Sequence, residues 1–116
     1  MKITPAVLAR ELGLSILSGK ESLEREVTRA YCCDLLSFVM GRAPADCAWV
    51  TVMGNVNAVA VAVLADCACI ILAEGSALDA AAREKALAQD VAVLASEKPV
   101  FETALSVHEL LCARAE

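Results

Sequence analysis

Six cysteines and a single histidine are the residues of this chain best suited to metal or redox chemistry: Cys32, Cys33, Cys47, Cys67, Cys69, Cys112 and His108. Common iron–sulfur frameworks use C-x2-C spacings, whereas this chain offers an adjacent pair, Cys32-Cys33, and one C-x-C, Cys67-Ala68-Cys69. On a buried strand, Cys32 and Cys33 point to opposite faces and would not converge on one metal. Most of the thiols are therefore expected to be small buried hydrophobes. His108 and Cys112 stand one helical turn apart, but two ligands do not make a site; a solvent-facing histidine near a helix C-terminus, favoured by the dipole, is the simpler expectation. No Cys or Ser has an evident base partner, so nucleophilic catalysis has no support. The expectation is a protein with no catalytic residue, no metal ligand and no cofactor, with an iron–sulfur redox protein as the third-ranked function.

A second set of residues could hold an anion. Asp34, Gly54, Asn55, Asn57, Glu74, Gly75 and Ser96 fall at turns that follow apolar, β-branched runs. If those runs are parallel strands, the turns share the carboxyl edge of one sheet, where helix N-termini point unpaired N–H groups at a ligand. A nucleotide or another phosphate-bearing regulator would fit such an edge. Capping accounts for Asp34, Asn55 and Ser96 one by one, and neither G-x-x-x-x-G-K-[ST] nor G-x-G-x-x-G is present.

The elements that must position these residues are legible in part. Thr4 as N-cap, Pro5 at the first helical position and Gly13 past the end predict a helix over Thr4 to Leu12. A short strand is expected at Ser15 to Leu17 and a longer one over Val27 to Cys33, then a helix from Asp34, as its cap, to about Met40. Gly41 to Asp46 reads as a loop leading into a strand over Trp49 to Met53. The next segment carries two readings: Val59, Val61 and Val63 alternate like a returning hairpin strand, while the length to Cys67 and the capping asparagines favour a crossover helix. A strand at Cys69 to Ala73 follows, then a helix capped by Asp79, a strand at Val91 to Ala95, and a final helix opened by Ser96 to Pro99 and running to about Cys112. Alternation of this kind implies a three-layer α/β sandwich with a mostly parallel sheet covered by helices.

Composition narrows the class. A chain of 116 residues is expected to form one domain, 1–116. It is 59% apolar but only 3% aromatic, so Ala and Val must fill the interior in thin, closely packed layers. A net charge of -5 offers no footprint for nucleic acid. The start MKITPAVLARELG lacks the order of a signal peptide, which predicts a cytoplasmic protein with reduced thiols. The longest uncharged run, Ala48 to Ala65, has Gly54, Asn55 and Asn57 at its centre, which argues against a membrane span. The helix beginning near Val56 is apolar all round. One small domain covers a helix on one side, so the other side, through Val61, Ala62 and Ala65, is expected to form a homodimer interface.

The segment WVTVMGNVNAVAVAVLADCACIILAEG, with ITPAVLARELGL, EVTRAYCCDLLSFVM and SEKPVFETA around it, resembles the DRTGG domain family, in its small standalone type, related to the HPr kinase N-terminal domain-like fold. The resemblance implies a non-enzymatic regulatory or accessory module, of a type linked to iron-only hydrogenase systems, and so a protein partner in a hydrogenase or redox setting. The chain departs from the pattern that names the family. Gly54-Asn55-Val56 stands where an Asp-Arg pair follows a glycine, and Ala73-Glu74-Gly75 where Thr-Gly-Gly closes the next strand. A ligand read by that charged pair would lack it here. The second-ranked function is a sensor binding a nucleotide-like or other anionic small ligand at the strand ends.

Overall fold

Helix α1 (Pro5–Leu12) begins where its residues dictate. Thr4 Oγ1 accepts from the Val7 amide at 3.2 Å, and Gly13, at φ 68°, closes the helix in the left-handed conformation that glycine takes without strain. The computed structural model describes residues 2–115. After α1 come β1 (Ser15–Ser18), a 3-10 turn (Glu21–Glu24), β2 (Arg29–Cys32), α2 (Leu36–Arg42), β3 (Cys47–Thr51), α3 (Val56–Leu64), β4 (Cys69–Leu72), α4 (Ala80–Ala88), β5 (Val93–Ala95) and α5 (Val100–Ala115).

The strands form one sheet in the order β1-β5-β4-β3-β2. β2, β3, β4 and β5 run parallel, with Trp49 opposite Tyr31 and Ile70, and β1 closes the far edge antiparallel to β5. Every residue of β3 and β4 is buried, as expected of strands covered on both faces. Alternate side chains feed two cores. Ala48, Val50, Cys69, Ile71 and Leu94 pack with Leu8 of α1 and Val107 of α5. Trp49, Ile70, Leu72 and Val93 pack with Val39 of α2, Val59 of α3 and Ala82 and Ala86 of α4. The result is the three-layer α/β sandwich expected from the sequence.

The ambiguous segment is a crossover helix. Asn55 Oδ1 accepts from the Ala58 amide at 2.9 Å to start α3, and β3 and β4 on either side of it are parallel. A side chain at Gly54 would run into the Ala77 carbonyl, and the Gly54 carbonyl accepts from the Asp79 amide at 2.9 Å. Glycine is needed here for close approach of two backbones. β2 starts later than expected because the Val27 amide pairs with the Ile3 carbonyl at 2.8 Å, outside the sheet. β5 starts later because the Val91 amide still bonds the Ala86 carbonyl behind α4. Among the described residues, no helix is long and apolar enough to cross a membrane.

The expected outward face of α3 does not exist in that form. α3 lies between α2 and α4 in the same layer, so Val61 is 8% and Ala62 2% exposed, buried by the chain itself, and Ala65 is half-buried at the helix end. An interface through Val61 and Ala62 is therefore not available. The apolar residues α3 leaves in solvent are Val63 and Leu64. Ala62→Glu should consequently unfold the protein, not split a dimer, because a carboxylate would be buried without a partner, at a cost of about 3 kcal/mol or more. Urea denaturation checks this: a variant with wild-type stability that had merely become monomeric would restore α3 as the interface.

Candidate functional site

The parallel strands bring all seven anion-site candidates to one edge, and there the residues fall into three separate groups. Asp34 lies beyond β2 and does not cap α2, whose N-cap is Leu35 without a side-chain bond. Its Oδ1 instead accepts from Thr51 Oγ1 at 2.6 Å and from the Val52 amide at 3.2 Å, tying the end of β2 to the end of β3. Gly54 and Asn55 form the second group, spent on the Ala77 approach and on the α3 cap, while Asn57 stands exposed on the first turn of α3. The third group joins β4 and β5 to the start of α5. Ser96, buried, bonds Thr103 Oγ1 at 2.9 Å and accepts from the Lys98 amide at 3.1 Å. Gly75, at φ 68°, donates its amide to the Ser96 carbonyl at 3.0 Å.

Glu74 has a role that the sequence did not suggest. Its amide donates to the Lys98 carbonyl at 2.8 Å, and its Oε2 accepts from the Val100 amide at 3.0 Å, so it caps α5 from a distant turn. Only Gly75 of the seven lines the cleft of about 250 Å3 beside α4, where Ser76, Arg83 and Glu97 also stand. Ser96 lines a different cleft, with Lys98 and Thr103. Shared edge and shared cavity are therefore different things here.

The opposite edge holds a denser cluster. Asp46 and Asp66 precede β3 and β4, both in left-handed backbone at φ 65° and 61°, and the Asp46 amide donates to the Asp66 carbonyl at 2.9 Å. Arg25 reaches across both turns. Its guanidinium donates to Asp46 Oδ1 at 2.7 and 3.0 Å, to Asp66 Oδ1 at 2.9 Å, and to the carbonyls of Asp66 and Cys67 at 2.8 and 3.2 Å. Burial would lower the Arg25 pKa, but the hydrogen bonds and charges of the two aspartates outweigh it and hold it above its ordinary value. Behind the turns, Cys47 and Cys67 bring their sulfurs to 3.6 Å. None of this was expected, yet the sequence holds a signal for it: Ala45-Asp46-Cys47-Ala48 recurs as Ala65-Asp66-Cys67-Ala68.

The cysteines divide by position. Cys47, Cys67 and Cys69 are buried, Cys33 is half-buried, and Cys32 and Cys112 are exposed, so burial holds for only half of them. Cys67 and Cys69 belong to different cores, on opposite faces of the sheet. Complete burial pushes the Cys69 thiol well above the ordinary range. Cys112 Sγ lies 3.5 Å from His108 Nε2 at the surface, and no three His, Cys, Asp or Glu side chains among the described residues are grouped to hold a metal ion.

Asp90 completes the amino-terminal edge. Its carboxylate accepts from the Lys20 amide at 2.7 Å, from the Ser22 amide at 3.1 Å and from Ser22 Oγ at 2.8 Å, fixing the 3-10 turn to the end of α4. The Lys20 amide and the Ser22 hydroxyl hold its pKa below the ordinary 3.8. A depressed folded-state pKa means stability present above the unfolded-state value and lost as pH falls through the folded one. The stability gap between wild type and Asp90→Asn should therefore be constant at neutral pH and narrow below about pH 4. Urea midpoints along a pH series measure it, and a gap unchanged into strong acid would refute the assignment.

The sequence matches no protein-family model and no curated protein. In fold, the chain is similar to the CBS and DRTGG domains of the regulatory region of Clostridium perfringens pyrophosphatase, solved in complex with the activator diadenosine tetraphosphate. The TM-score is 0.68 at 11% identity, over 84% of this chain and 42% of that one. The chain thus spans less than half the length of that neighbour. At this identity the likeness is one of architecture, and the fold of the chain is DRTGG-like.

Proposed function

We propose that the protein is a non-enzymatic regulatory or accessory module that works in the cytoplasm as a homodimer, with its self-association surface along the β2 edge. The observation that carries this reading is where large apolar side chains meet solvent. Phe101 is 67% and Leu105 39% exposed on α5, which packs across β2, and Leu35 at 55% and Phe38 at 44% stand just beyond β2, on the other side of the sheet. β2 is an edge strand, and such strands present unpaired backbone donors and acceptors. Apolar residues beside an open edge offer a second chain both hydrogen bonds and apolar burial. A twofold pairing through this edge satisfies both copies with one patch. The DRTGG-like fold, found also in the regulatory region of a pyrophosphatase, supports a regulatory role. The family resemblance directs the search for a further partner to hydrogenase or redox systems.

A ligand sensor is the second reading, favoured by the cleft where Arg83 faces the Gly75-Ser76 turn and by the nucleotide bound to the Clostridium region. Arg83 would pair with a phosphate, and Glu97 in the same cleft would oppose a highly charged one.

Light scattering tests the first reading. Wild type should be dimeric at high micromolar concentration, and Phe101→Glu, at an exposed position, should give a folded monomer with a melting temperature within a few degrees of wild type. A wild type that stays monomeric would overturn it. Diadenosine tetraphosphate and ATP, each near a hundredfold over a binding constant, should raise the melting temperature by several degrees if the second reading holds, and Arg83→Ala should abolish the rise.

A further inference from the structure

We propose that Cys47 and Cys67 are a redox-modification site, a dithiol that closes to a disulfide when a peroxide enters the cleft at the amino-terminal edge of the sheet. The proposal stands apart from the dimer and the ligand readings. Its first support is distance: the sulfurs lie 3.6 Å apart, against a bond of about 2.05 Å. Its second is a fixed frame. The Ala68 amide bonds the Cys47 carbonyl at 2.8 Å, the Asp46 amide bonds the Asp66 carbonyl at 2.9 Å, and Arg25 clamps both aspartates and the Cys67 carbonyl. Side-chain rotation within that frame closes most of the gap.

Access supplies the third. Cys67, 7% exposed, lines a cleft of about 140 Å3 that Ser22, Arg25 and Asp66 share. A space of that size admits molecules little larger than water, hydrogen peroxide among them. Cys47 is fully buried behind it, where it is shielded from larger reagents and positioned as the resolving thiol. Cys69 faces the other core and cannot compete.

Access sets this order, and acid–base chemistry couples the two thiols. Hydrogen bonding from Cys67 lowers the Cys47 pKa, and the same contact, with burial, raises that of Cys67. The contact thus favours the proton on Cys67 over Cys47. In the first step the Cys67 sulfur takes one oxygen of hydrogen peroxide to become a sulfenic acid, the O–O bond breaks, and the other oxygen leaves as water with the proton that the Cys67 thiol gives up. The Cys47 sulfur then attacks the Cys67 sulfur, the S–O bond breaks, and the hydroxyl departs with the Cys47 proton as a second water. Two thiols are oxidised and one peroxide is reduced.

The test treats the reduced, folded protein with hydrogen peroxide, alkylates the remaining thiols after unfolding, and cleaves before aspartate. That cut separates Cys47, in residues 46–65, from Cys67 and Cys69, in residues 66–78. The expected product is these two peptides joined through Cys47 and Cys67, located by fragmentation and released by dithiothreitol. Cys67→Ala should abolish it and leave Cys47 as an alkylatable thiol; should that variant fail to fold, the wild-type map decides alone. Recovery of Cys47 and Cys67 as free thiols while Cys32 and Cys112 are oxidised would overturn the proposal. So would Cys67 recovered as a sulfinic acid with no cross-link.

Discussion

Burial of the central strands on both faces governs the rest of this structure. β3 and β4 contribute no exposed residue, so polar groups and chain reversals are displaced to the two ends of the sheet. The layers are thin because Ala and Val fill them, with Trp49 as the one large aromatic side chain in the core. Its indole N–H still finds a partner, the Cys33 carbonyl at 2.9 Å, as a buried polar handle must. Among the described residues no buried side-chain nitrogen or oxygen lacks a hydrogen bond, and Thr51, Ser96 and Thr103 meet that demand at the carboxyl end. The candidate anion site is built from the groups that close this accounting, which is why so few of them face a cavity.

The amino-terminal end answers the same constraint differently. Three acidic residues there, Asp46, Asp66 and Asp90, adopt left-handed backbone, as Glu74 does at the carboxyl end, which costs a non-glycine residue about 1 kcal/mol. Each offsets it with hydrogen bonds from its side chain or its backbone. At Asp46 and Asp66 the offset comes through Arg25, half-buried and shared by both turns. One cation fixes two strand entries, and the cysteines that follow the aspartates are aligned as a consequence. Proximity of the thiols is thus built into the way β3 and β4 begin.

Local signals carried most of the architecture in the sequence. Thr4, Asn55 and Asp79 are caps where they read as caps, because capping depends on residues within one turn. The crossover at Gly54 was legible for the same reason, and parallel order followed from it. The N-cap of α2 was misread, since Asp34 found a better partner in Thr51 across the sheet, a contact separated by 17 positions. The outward face of α3 was misread because periodicity reports how apolar a helix is and says nothing of how many helices share its layer. Glu74 and Arg25 act over still longer separations, and no local pattern marks such contacts. The repeated Ala-Asp-Cys-Ala was visible, but only the parallel register of β3 and β4 gives it meaning.

The two edges of the sheet also differ in what they leave for other molecules. β1 is covered along its inner side by an antiparallel bond to β5 and ends in an irregular register after Ile16, a feature that discourages further pairing. β2 is regular over its whole length against β3, and its outer side carries neither bulge nor proline. Natural edges lacking such protection are covered by something. α5 covers one face of β2 but leaves Phe101 in solvent, and α2 leaves Phe38 partly exposed, with Arg42 over its ring at 4.2 Å from the centre. An unprotected strand between two exposed aromatic residues leaves apolar area and backbone hydrogen-bonding groups open at this edge, whereas the polar ends of the sheet are already satisfied within the chain.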